Sequence, residues 1–133
     1  DSYQYHEHEI DKKLDLIVAK NKYDGLRKIN SGVENPVGMI GEDIKKEAAQ
    51  FEYIGIAKFS KEGADNFRKV YNDCKVKYKG SFHEAKSFKK ATTTDILQEM
   101  IDRGFKVVVA EVHKGWMEIH NSKDYERAKE VLK

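Results

Sequence analysis

The sequence predicts an α/β fold, a mixed sheet with flanking helices, and three observations carry that expectation. Apolar and β-branched runs of strand length recur along the 133 residues: LDLIVA at 14–19, VGMIG at 37–41, FEYIGIAKF at 51–59 and FKVVVAEV at 105–112. Between them lie segments whose apolar residues fall three and four apart, the spacing of one helix face. Three helices and about five or six strands in mixed order give a layered domain rather than a bundle or a sandwich.

Taken in order, residues 1–13 are polar, with His6 and His8 two apart, where a strand would put both rings on one face. Two imidazoles are too few for a tetrahedral metal site, so a solvated segment is expected there. Leu14 to Ala19 forms a strand core, Asn21 to Gly25 a turn, and Leu26 to Ile29 a further extended piece ending at Asn30-Ser31-Gly32. Pro36, the only proline, fits the first position of a short strand through Gly41, because a missing N–H is harmless there. Glu42 to Gln50 reads as a helical turn or two, with Ile44, Ala48 and Ala49 on its apolar side. FEYIGIAKF is the best strand of the first half.

Ser60 stands at the N-cap of the next helix, with Glu62 in the first turn and Ala64, Phe67, Val70 and Tyr71 at helical spacing. Residues 75–83 form a basic, aromatic linker whose lysines alternate with Val76 and Tyr78, either an exposed strand or an ordered loop. A second helix runs from about Thr93 or Thr94 to Arg103, an earlier start near Glu84 staying open, with Ile96, Leu97, Met100 and Ile101 toward the core and Gly104 ending it. Phe105 to Val112 reads as a strand buried on both faces. His113 to Gly115 turns, Trp116 to Ile119 alternates as a second short strand, and Ser122 caps the last helix. Asp124 and Glu126 put acid where the helix dipole favours it, and Tyr125, Ala128, Lys129 and Leu132 give a packing face.

Composition removes several function classes. Charged residues make up 36% of the chain, yet 25 basic residues against 23 acidic ones leave a formal charge of only +2. No global field recruits nucleic acid or an anionic membrane. An RNA-binding role for the lysine-rich stretch 75–90 lacks the glycine-aromatic signature of an RNA-recognition strand, and a solvated charged face accounts for such lysines. No apolar run approaches the roughly 20 residues of a membrane span, and no basic-then-apolar leader opens the chain. The single cysteine, Cys74, cannot form an internal disulfide, so a reducing cytoplasm is the default, with Cys74 a semi-buried helix residue. Because the chain opens on Asp1 rather than Met, a processed or longer parent is expected.

The closing segment G-W-M-E-I-H-N-S-K-D-Y-E-R-A resembles the end of the catalytic domain in sugar-nucleotide and phosphocholine-type nucleotidyltransferases, which reads W-x-E-I-D, a short linker, Asp, an aromatic or Leu, and Ala. Three further stretches are similar to that family in the same order: Pro36–Gln50, E-Y-I-G-I-A-K-F-S at Glu52–Ser60, and T-D-I-L-Q-E-M-I-D-R-G-F-K-V at Thr94–Val107. Together they cover most of the chain from about Asp15, and the branch acting on phosphocholine and 2-aminoethylphosphonate looks closest. The resemblance implies the acceptor-binding half of a Rossmann-like domain. It also implies transfer of a nucleoside monophosphate, CMP from CTP, to a small phosphorylated or phosphonate acceptor with Mg2+ and release of pyrophosphate.

Two departures bear on that implication. The family's Gly-rich loop, roughly L-A-A-G-x-G-x-R, is absent, and the nine glycines here are scattered. A complete enzyme then needs the other half, in a longer parent or a second chain, and half a domain implies a homo-oligomer or a bound partner. The alternative is a non-catalytic binding or dimerisation module without a nucleotide loop. The second departure is His120, which stands where the family places a metal-binding Asp. Mg2+ prefers carboxylate oxygen, so His120 would bind it weakly or through water, or Asn121 would supply an oxygen.

By the same resemblance Glu52, Tyr53 and Gly55 stand where the acceptor passes. Gly55 in a strong strand implies close approach of a ligand or, equally, a tight crossing against a helix. Glu118 is placed to anchor a basic acceptor or to pair with a lysine. Trp116 serves either as core or as a face for a quaternary ammonium group. Asp95 serves the start of its helix or reaches a ligand, the former being the simpler role.

Overall fold

The computed structural model describes residues 13–21, 34–112, 116–117, 119 and 121–131. They form a mixed α and β arrangement: β1 (Leu16–Ala19), β2 (Asn35–Gly41), β3 (Phe51–Glu52), α1 (Lys61–Lys77), α2 (Thr93–Asp102), β4 (Val108–Val109) and α3 (Ser122–Val131). A single-turn 3-10 helix, Phe88–Lys90, precedes α2. The sheet order is β3-β1-β2-β4, and each of its three pairings is antiparallel. Of the expected strands, those at 14–19 and 37–41 occupy the centre. The segments read from residues 1–12 and 22–33 lie outside the described residues, as do the turn at 113–115, Glu118, His120 and Leu132.

The helices follow their sequence signals closely. Ser60 Oγ accepts the Gly63 N–H at 3.0 Å and starts α1. At α2, Thr92 and Asp95 form a capping box: Asp95 takes the Thr92 N–H at 2.8 Å and also the Glu84 N–H at 3.1 Å. The helix-start role of Asp95 is therefore the one seen. Gly104, at φ +84, closes α2 as a left-handed terminus requires. Ile96, Leu97, Met100 and Ile101 are all buried, and each contributes about 1.5–3 kcal/mol by leaving water. They lay α2 on β2, and Gln98 Oε1 takes the Ile40 N–H at 2.8 Å to fix the crossing. Cys74 and Val70 seal α1 against this core, Cys74 more completely than its semi-buried expectation.

Both long outer strands are shorter than expected, for one physical reason. β3 and β4 are the two edges of the sheet, each with a single neighbour, so hydrophobicity alone does not extend their pairing. After Glu52 the chain leaves the sheet through Gly55, whose φ of +78 favours glycine. The stretch Phe105–Val112 pairs only at Val108 and Val109, and it is not buried on both faces, since Val108 is 40% and Val112 46% exposed. Trp116, Met117 and Ile119 lie outside any strand.

Residues 42–50 form turns rather than a helix. The Lys45 and Lys46 carbonyls accept from Ala48 and Ala49, after which Gln50 is drawn into the sheet by Ile17 O and the Ala19 N–H. The stretch at 75–83 is also more ordered than a linker: α1 runs to Lys77, and Phe82 is among the most buried side chains. The last helix begins one residue early in its capping. Asn121, not Ser122, is the cap, with its Oδ1 accepting from Lys123 N at 2.8 Å and Asp124 N at 3.1 Å. Ala128 packs inward as expected, whereas Tyr125 is exposed.

Gly41 leaves room for a carboxylate. A Cβ built there would fall on the Glu84 carboxylate, which accepts the Glu42 N–H at 2.7 Å and the Asp43 N–H at 2.9 Å. Gly41→Ala is expected to displace that carboxylate and cost about 1–2 kcal/mol in urea denaturation. Glu84→Ala frees the space, so adding Gly41→Ala to it should cost almost nothing more. Additive losses would show that the clash is not the cause.

Candidate functional site

Because the sheet curls, the segments that continue its two opposite edges approach one another. Residues 52–60, following β3, and 106–112, around β4, form the walls of a cleft of about 490 Å³. Its floor is the core itself: Ile17, Val37, Ile40 and Phe51 from the sheet, with Leu97 and Met100 from α2. A cavity of this size suits a small ligand, and its lining is apolar with few polar groups, as such sites commonly are.

Two residues singled out from the sequence, Glu52 and Tyr53, line this cleft. Gly55 sits in the same wall, but no atom of the described chain lies within 4 Å of a Cβ built on it. The tight helix crossing is therefore not its reason. Its positive φ is, and that side of the loop is left open. Trp116 is half-buried and is not part of the lining. Glu118 and His120 lie outside the described residues.

Beside Tyr53 the structure gathers a polar group that the sequence reading passed over. Tyr53 N donates to Asp15 O at 2.8 Å, placing Asp15 next to the tyrosine. Burial pushes the Asp15 carboxyl above its ordinary value, the Thr94 hydroxyl partly offsets this, and Glu42, Glu84 and Asp95 add repulsion. Burial, then the Asp15 charge, pushes the Tyr53 phenol up as well, so it stays protonated and able to donate a hydrogen bond. Thr94 is buried and meets Thr92 Oγ1 at 2.7 Å, which holds its hydroxyl in place. The one sequence signal for this group was an acid breaking an apolar run, Asp15 in LDLIVA.

The other buried polar cluster lies between α1 and α2. Glu99 is held by Arg103 Nε and by His83 Nε2, each at 2.9 Å, while Arg103 also reaches Asp73 at 3.2 Å and Cys74 Sγ at 3.2 Å. Burial pushes the Cys74 thiol up, with the Glu99 charge adding to it. A protonated, fully buried thiol is no nucleophile.

For a divalent metal, the described residues offer no fitting set. No group of three or more His, Cys, Asp or Glu side chains among them is arranged to hold an ion. Asn121 commits its side-chain oxygen to the cap of α3. No helix of the described residues is long and apolar enough to cross a membrane.

Comparison of the chain with protein-family models, with curated proteins and with solved structures finds no match.

Proposed function

We propose that the chain is the acceptor-binding portion of a Mg2+-dependent nucleotidyltransferase, in which an oxygen of a small phosphorylated or phosphonate acceptor attacks the α-phosphorus of CTP and pyrophosphate leaves. The observation that carries this reading is that Glu52 and Tyr53, chosen from the E-Y-I-G-I resemblance, line the cleft. This chain's own part is to bind and orient the acceptor, since in-line transfer depends on positioning more than on covalent chemistry. Tyr53 donates a hydrogen bond to an acceptor oxygen. No group of three or more ligands is arranged for Mg2+ among the described residues, so this reading keeps His120 as the candidate ligand, and the cation enters no step here. The nucleotide contacts are assigned to a missing half-domain, in a longer parent or a second chain.

The test is calorimetric titration of the chain with phosphocholine and with 2-aminoethylphosphonate. One of the two is expected to bind in the millimolar range or tighter, and Tyr53→Phe to weaken it about tenfold. Failure of both at millimolar ligand would overturn the reading. The second reading, a non-catalytic binding or dimerisation module, is favoured by the apolar walls of the same cleft, where Ile56 is 73% exposed.

A further inference from the structure

Four charged residues line the cleft, and their pairing is uneven. Lys106 is bridged to Glu34, and Glu52 also has a partner. Lys58 on one wall and Glu111 on the other have no ion pair or hydrogen bond from their side chains among the described residues. Around these two charges stand Ile56, Val108 and Val112, all exposed.

The backbone of both walls is open too. From Ile54 to Phe59 the chain makes no backbone hydrogen bond among the described residues. On the other wall Val37 N donates to Val107 O at 2.9 Å, so alternation turns the N–H and C=O of Val108 away from β2. Exposed apolar side chains on an unpaired edge are the features that invite a second polypeptide.

From this charge pattern we infer that the cleft rim is the seam of a two-fold dimer of this chain. In an isologous interface residue i meets residue j of the partner, and j meets i. One unmatched cation on one wall and one unmatched carboxylate on the other are thus self-complementary. A second copy pairs Lys58 with the partner's Glu111 and Glu111 with the partner's Lys58, while covering Ile56, Val108 and Val112. A ligand of one charge sign matches only half of that pattern. The inference stands apart from the nucleotidyltransferase reading, because pairing of Lys58 with Glu111 invokes neither Glu52 nor Tyr53.

Sedimentation velocity at tens of micromolar tests it, since all the substituted side chains are at the surface and folding is not at stake. The wild-type chain is expected at twice its 15.4 kDa mass. Lys58→Glu and Glu111→Lys each place like charges together twice per dimer and should weaken association at least about tenfold. Mixing the two single variants should restore a heterodimer with both pairs matched, and the double swap in one chain should restore the homodimer. A dimer indifferent to either single change, or no recovery on mixing, overturns the inference. So does a wild-type monomer at about 100 μM, and if that monomer binds an apolar dye in the cleft, the occupant is something other than this chain. The acceptor titration above reads ligand binding at Tyr53 rather than mass, so either reading can fail while the other stands.

Discussion

Phe82→Ala is expected to lower the free energy of unfolding by about 3–5 kcal/mol, the largest loss of any single substitution argued for this chain. Phe82 is 1% exposed and lies at the centre of an aromatic group: its ring meets those of Tyr78 at 4.9 Å, Phe88 at 5.2 Å and His83 at 4.6 Å, all three near edge-to-face. Edge-to-face pairs add about 0.5–1.5 kcal/mol each beyond the area they bury. The backbone makes the position hard to relax. Phe82 and Ala85 exchange N–H and C=O at 2.9 and 3.0 Å across a tight turn, with His83 in the left-handed region at φ 48. A truncated side chain therefore leaves a void that the turn cannot close. Phe82→Leu keeps most of the volume and should cost about 1.5 kcal/mol or less. Urea denaturation of both variants checks this, and equal losses would put the effect in the turn instead of the cavity.

That position also shows where sequence reading stopped. Phe82 sits in a lysine-rich stretch with Tyr78, four residues earlier, as the only aromatic at helix spacing, so local pattern marks it as linker. Its burial depends on Tyr78 ending α1 and Phe88 starting the next turn, a three-body arrangement that local pattern does not encode. By contrast the core face and the end of α2 were readable, and its start was left between Thr93 or Thr94 and a point nearer Glu84. Its apolar face, its Thr92 and Asp95 start and its Gly104 stop are all local chemistry. The central strands were readable from their short apolar runs, and β1 is buried at Leu16, Ile17 and Ala19. The edge strands were not: FKVVVAEV has the composition of a central strand, and only the sheet order shows that half of it is open. At the site, Glu52 and Tyr53 were legible through a resemblance, whereas Asp15 and Thr94 meet only because β1 starts beside the first turn of α2.

The second large effect is expected at Glu99. Burial alone would raise its carboxyl, but the hydrogen bonds from Arg103 and His83 and their charges outweigh it and hold the group below its ordinary value. Glu99→Gln keeps the shape and replaces one acceptor oxygen with a donor, setting N–H against Arg103 or His83. Breaking a buried charge pair costs about 3–5 kcal/mol, and the Arg103 side chain, 28% exposed, recovers part of that from water, so about 2–3 kcal/mol is expected near neutral pH. The pH dependence has a definite sign. A carboxyl whose folded pKa lies below its unfolded one stabilises the fold above the unfolded value and loses that contribution as pH falls through the folded value. The gap between wild type and Glu99→Gln should therefore be present above the unfolded carboxyl value and close progressively as pH falls through the folded one. Cys74 and Asp73 face the same guanidinium, so Asp73→Asn serves as the control for a general charge effect. Chemical denaturation at matched ionic strength across this range provides the measurement. A gap that persists unchanged in acid would mean that Glu99 acts through packing, not through its charge.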